Sequence, residues 1–129
     1  MAANTDDSHV PSAKQVDKLL QYLDILYPGG KPIQPVIDPS PGTCIYKDEV
    51  NTFCQTISDD WFWRGFTAKA AAEYCNNPDK LQTATWKDIK CVLTFFIFKE
   101  RFCNGYQGAA IEDGFIRTLL LRVKELAKK

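Results

Sequence analysis

Apolar side chains recur at helical spacing over most of the chain. Val16, Leu19, Leu20, Leu23 and Leu26 share one face behind Ser12 and Gln15, a capping-box pair, and "PGG" at 28–30 stops the helix they predict. "YKDEVNTFCQTI" puts Val50, Phe53, Cys54 and Ile57 on a second stripe, behind an acidic first turn that suits the helix dipole. Thr67 caps a third, alanine-rich helix through Tyr74 and Cys75, and Asn77 with Pro78 opens a short turn ending near Leu81. Thr85 with Asp88 opens a fourth helix carrying Trp86, Ile89, Val92, Leu93, Phe95, Phe96 and Phe98, apolar on most of its circumference and so expected at the centre of the core. After Gly105 a short helical stretch reaches Ile111. Gly114 breaks it, and Phe115, Ile116, Leu119, Leu120, Val123 and Leu126 mark a last amphipathic helix.

Two segments lack this period. Residues 1–10 are polar and read as a disordered leader. Between the first two helices Pro32, Pro35, Pro39 and Pro41 remove backbone donors, so an extended surface loop is expected, with a short strand fitting around Val36 and Ile37. Helices with single apolar stripes must bury them against one another. The expected architecture is therefore an all-α, compact, single-domain bundle of about five or six helices over residues 11–129, with a proline-rich loop after the first helix.

Composition narrows the chemistry. With 129 residues and 45% apolar content the chain can build one core. Sixteen basic and sixteen acidic side chains cancel, which leaves no global field to draw in nucleic acid or an anionic membrane, and nucleic acid is disfavoured as a partner. The longest apolar run, "CVLTFFIF", is too short to span a membrane. Five cysteines, an odd number without a C-x-x-C pair or a signal peptide, read as reduced thiols in a cytoplasm. The one histidine, His9, lies in the leader, so the commonest general base is missing from the expected folded region. No metal, cofactor or catalytic residue is assigned, and the balance leans against an enzyme.

Three stretches could carry recognition. In "ERFCNGYQGAAIEDGF", Arg101 ends the most apolar helix and needs a partner; Glu112 and Asp113 are the acids within reach of a tight corner, which makes a structural ion pair one reading. The other is a donor set for a carboxylate or phosphate, made of Arg101 and backbone N–H groups near Gly105 and Gly108. In "DDWFWRGF", Trp61, Phe62, Trp63 and Phe66 cluster beside Arg64, either plugging into the core or anchoring a partner, and Trp61 and Trp63 alternate so that both cannot easily face one way. The basic end of the last helix is the third, against the bland reading that cations simply suit a helix C-terminus.

"KERFCNGYQGAAIEDGFIRTLLLRVKEL" at 99–126 resembles the C-terminal signature of a family of small bacterial and archaeal domains of unknown function, with R-F-x-x-G as its sharpest motif. "YKDEVNTF", "DDWFW" and "NNPDKLQTATWKDIKCVLT" are similar to the middle of the same family, so the likeness covers roughly residues 45–126. The resemblance singles out Arg101, Phe102, Gly105, Glu112 and Gly114, with Tyr46 and Trp61; Tyr106 stands where relatives often carry histidine, and "WRGF" replaces their proline-and-aromatic loop. It implies no activity. The sequence thus points to a non-catalytic binding or accessory module, prokaryotic or phage, that recognises a protein partner or a small anionic ligand near the Arg101–Gly114 corner. An enzyme acting on a phosphorylated substrate through Arg101 and Glu112, and a nucleic-acid binder using the last helix, are the alternatives.

Overall fold

The computed structural model describes residues 10–38, 45–101, 103 and 105–128. The expected leader, apart from Val10, and Phe102 lie outside them. The chain is mostly helical: α1 (Ala13–Leu20), α2 (Tyr22–Leu26), α3 (Asp48–Asp60), α4 (Ala68–Asn76), α5 (Trp86–Lys99), α6 (Tyr106–Glu112) and α7 (Phe115–Ala127), with 3₁₀ turns at Pro28–Gly30 and Pro78–Thr83. Both capping boxes form: Ser12 Oγ accepts the Gln15 N–H at 3.1 Å and Thr85 Oγ1 accepts the Asp88 N–H at 3.3 Å, while each partner side chain reaches back to the cap. Thr67 caps α4 through the Ala70 N–H. The first expected helix is divided into α1 and α2 at Gln21, which keeps right-handed helical backbone angles and bonds to Asp17 behind it and Ile25 ahead.

A two-stranded antiparallel sheet forms from β1 (Val36–Asp38) and β2 (Ile45–Tyr46), with Val36 opposite Tyr46; Pro39 and Pro41 of the expected loop lie outside the described residues. The strand expected near Val36 is present. Its two-residue partner is too short to show an alternating pattern.

α5 packs against α3, α4, α6 and α7 and carries the centre of the core, where Phe53 and Phe96 meet edge to face and Tyr22 tilts against Phe53. Burying a side chain such as Phe53 fully contributes about 1.5–3 kcal/mol. The stripe of α3 runs Val50, Phe53, Ile57 and continues into the helix cap as Trp61, fully buried against Trp86. The outer side of α5 departs from expectation: Phe95, Ile97 and Phe98 are only half-buried.

Candidate functional site

The corner between α5 and α7 is built around a carboxylate. Glu100 Oε2 accepts the Gly105 N–H at 2.8 Å, and Glu100 Oε1 accepts the Gln107 N–H at 2.9 Å and the Tyr46 hydroxyl at 2.9 Å. The same hydroxyl accepts the Gly108 N–H at 3.2 Å, and the Tyr106 N–H bonds the Cys103 carbonyl. The leading N–H groups of α6 are thereby satisfied, by the chain's own anion, the tyrosine it holds and the Cys103 carbonyl. Gly105 sits at φ 93°, which a side chain would strain. Gly108 lets the sheet approach: a Cβ there would lie 3.0 Å from the Tyr46 ring and 3.3 Å from Val36. At the far end of α6 the buried Tyr27 hydroxyl donates to the Ile111 carbonyl at 2.7 Å and accepts the Arg117 N–H at 3.2 Å, so one phenol bridges α6 to α7. Burial holds that phenol protonated, its pKa raised well above the ordinary tyrosine range.

The ion pair expected between Arg101 and Glu112 or Asp113 does not form. Glu112 is exposed beside Pro32, Ile33 and Gln34, and the Asp113 carboxylate instead accepts the Phe115 N–H at 2.9 Å. A helix of seven residues rises about 10 Å, which carries both acids to the opposite end of α6 from Arg101. The backbone donors expected to meet an external anion at Gly105 and Gly108 are engaged internally.

Arg101 is exposed, and its guanidinium lies 5.0 Å from the ring centre of Phe98. That contact joins the two candidate stretches on one surface. Phe66 stacks on Phe98 at 5.4 Å with 8° between the rings, and Phe62, 38% exposed, tilts against Phe98 at 5.6 Å. The loop holding these rings is pinned to α5 by Thr94: the Trp63 N–H donates to Thr94 Oγ1 at 2.9 Å, and that hydroxyl donates to the Lys90 carbonyl at 2.7 Å. Two further cations rest on rings, Lys99 Nζ at 5.6 Å over Phe95 and Lys87 Nζ at 5.4 Å over Trp63. Phe66, Ala68, Phe95, Phe98 and Lys99 line an apolar cleft of about 360 Å³.

Of the residues singled out from sequence, Arg101 borders this face beside Phe98, Trp63 is half-buried on it and Arg64 is exposed on the same loop. Trp61 belongs to the core. Tyr46, Gly105 and Tyr106 build the corner, Tyr106 with its ring edge on Phe95 and its hydroxyl 3.4 Å from Cys75 Sγ. Sequence reasoning missed Glu100, Thr94 and Lys99. Glu100 left one signal, an acid in the last turn of a helix, where the dipole disfavours it.

The titratable groups are those of a quiet interior. Burial pushes the Cys54 thiol up to about 12 and raises Cys75 and Cys91, which suppresses their thiolates. Among the described residues no group of three or more His, Cys, Asp or Glu side chains is placed to hold a metal ion, and no helix is long and apolar enough to cross a membrane.

A family model described as a family of unknown function (DUF6508) matches residues 11–129, and the chain belongs to that family. No curated protein and no solved structure matches it.

Proposed function

We propose that this member of the family is a non-catalytic binding module that recognises a protein partner through the aromatic face of α5 and the Trp61–Phe66 loop, at the Arg101 end of the corner. The observation that carries the reading is the cleft between Phe66, Phe95 and Phe98, whose lining apart from Lys99 is aromatic or alanine, beside the exposed Phe62. Large rings fixed by packing and by the Thr94 bond offer contact area at little ordering cost, as interface anchors do. The phosphorylated-substrate alternative asks Arg101 and Glu112 to act together, and they sit at opposite ends of α6. The nucleic-acid alternative loses Arg122, which donates to the Ala84 carbonyl and pairs with Glu125.

The test is site-specific photocrosslinking in cells that make the protein, with a benzophenone amino acid at Phe62, at Phe66 or, as control, at Glu112. One discrete protein adduct shared by positions 62 and 66 and missing at 112 is expected. Adducts of equal yield at all three positions, or none at 62 and 66, would overturn the proposal.

A further inference from the structure

We infer that the segment docked on this face is acidic: a short stretch of a partner protein with one large apolar side chain entering the cleft and carboxylates on its flanks. The inference rests on the docking reading above and adds the partner's chemistry. Three cations rest on rings of this face, Lys99 in the wall of the cleft, Arg101 over Phe98 and Lys87 farther along α5 over Trp63, and among the described residues none of them forms an ion pair. Glu100, the acid between Lys99 and Arg101 in sequence, is turned inward onto the Gly105 and Gln107 N–H groups and the Tyr46 hydroxyl, so it does not pair with either cation.

Each of the three rests on an aromatic ring of the same surface. The ring faces attract the cation and restrict its swing, so the charge is held in place before a partner arrives. A carboxylate beside an apolar anchor then meets a pre-positioned donor, while like charges on a basic segment are repelled; complementarity of this kind sets partner choice and association rate. The cleft, about 360 Å³ and lined by the small side chain of Ala68 as well as by Phe66, Phe95 and Phe98, has room for one aromatic or branched side chain. Single-stranded nucleic acid, the other polyanion, binds by stacking bases on open ring faces. Here Phe98 carries Phe66 and Arg101, Phe95 carries Lys99 and Trp63 carries Lys87. The observations favour the acidic protein segment.

The full chain would be panned against a displayed library of random peptides about twelve residues long, beside the Lys99→Glu/Arg101→Glu double variant. Selected peptides should carry an aromatic or aliphatic anchor with Asp and Glu flanking it, and the most enriched should bind the double variant at least about tenfold more weakly. The double variant should itself select Lys and Arg, and Lys87→Glu alone should shift selection the same way. Both variants should melt close to wild type, since Lys87 and Arg101 are exposed and the half-buried Lys99 forms no ion pair. Anchored peptides without net acidity, or acidic ones indifferent to charge reversal, overturn the inference while leaving the crosslinking result standing. Failure to select any anchored peptide, together with no adduct at positions 62 and 66, removes both. Tighter binding of a labelled oligothymidylate gives the surface to nucleic acid, and a dimer dissolved by the double variant gives it to a second copy; either result contradicts the inference.

Discussion

The Tyr46 hydroxyl donates to Glu100 Oε1 at 2.9 Å while accepting the Gly108 N–H at 3.2 Å, so a side chain of the small sheet joins the end of α5 to the start of α6. Tyr46→Phe removes both bonds at once and should lower stability in urea by about 1–3 kcal/mol, because a buried N–H and a carboxylate lone pair lose their partner. Combined with Glu100→Gln the losses should fall short of additive by at least about 0.5 kcal/mol, the mark of a shared network. Strict additivity would show that the two act separately.

Gly108→Ala tests how close the sheet lies to α6. Alanine is the better helix former by about 1 kcal/mol, yet its Cβ would sit 3.0 Å from a ring already held at its hydroxyl. Overpacking should win, with a net loss of about 1–3 kcal/mol in urea unfolding. A melting temperature at or above wild type would mean that the ring yields.

Thr94→Val keeps the shape of a buried side chain and deletes the hydroxyl that accepts the Trp63 N–H. Stability should fall by about 1–3 kcal/mol, and trypsin should cut after the exposed Arg64 faster than in wild type as the loop loosens. Unchanged cleavage would mean that the aromatic contacts alone hold the loop.

The buried Cys54 thiol ties stability to alkaline pH. Its pKa is pushed from 9.0 to about 12, first by burial and then by the negative charge of Glu100. The folded chain therefore keeps a proton that the unfolded chain begins to release near pH 9, and this contribution, complete below that pH, is lost as pH rises toward 12. Unfolding free energy should drop between about pH 7.5 and about pH 10.5, and Cys54→Ala should drop by less over the same interval. An equal drop in both proteins would remove Cys54 from the effect.

The helices were legible because their signals are local. Ser12 with Gln15 and Thr85 with Asp88 cap within three residues, and apolar stripes repeat within a turn. Even Trp61 could have been placed in the core, four residues beyond Ile57 on the stripe of α3. What holds the corner was not legible, since Tyr46 and Glu100 stand 54 positions apart and nothing in either neighbourhood announces the other. Arg101 and the aromatic loop were each visible as candidates. Their meeting depends on which side of α5 turns outward, and a helix apolar on most of its circumference does not say. The ion pair predicted at the corner failed because sequence proximity across a short helix is not spatial proximity.

Two adjacent residues divide the labour: Glu100 holds the corner, and Arg101 faces outward. Urea unfolding of Glu100→Gln and Arg101→Ala, run side by side, measures this division directly. Glu100→Gln should lose about 1–3 kcal/mol with its charge-assisted bonds, and Arg101→Ala should stay within about 0.5 kcal/mol of wild type, as a surface cation on a ring allows. The reverse order, with Arg101→Ala the more damaging, would contradict the account.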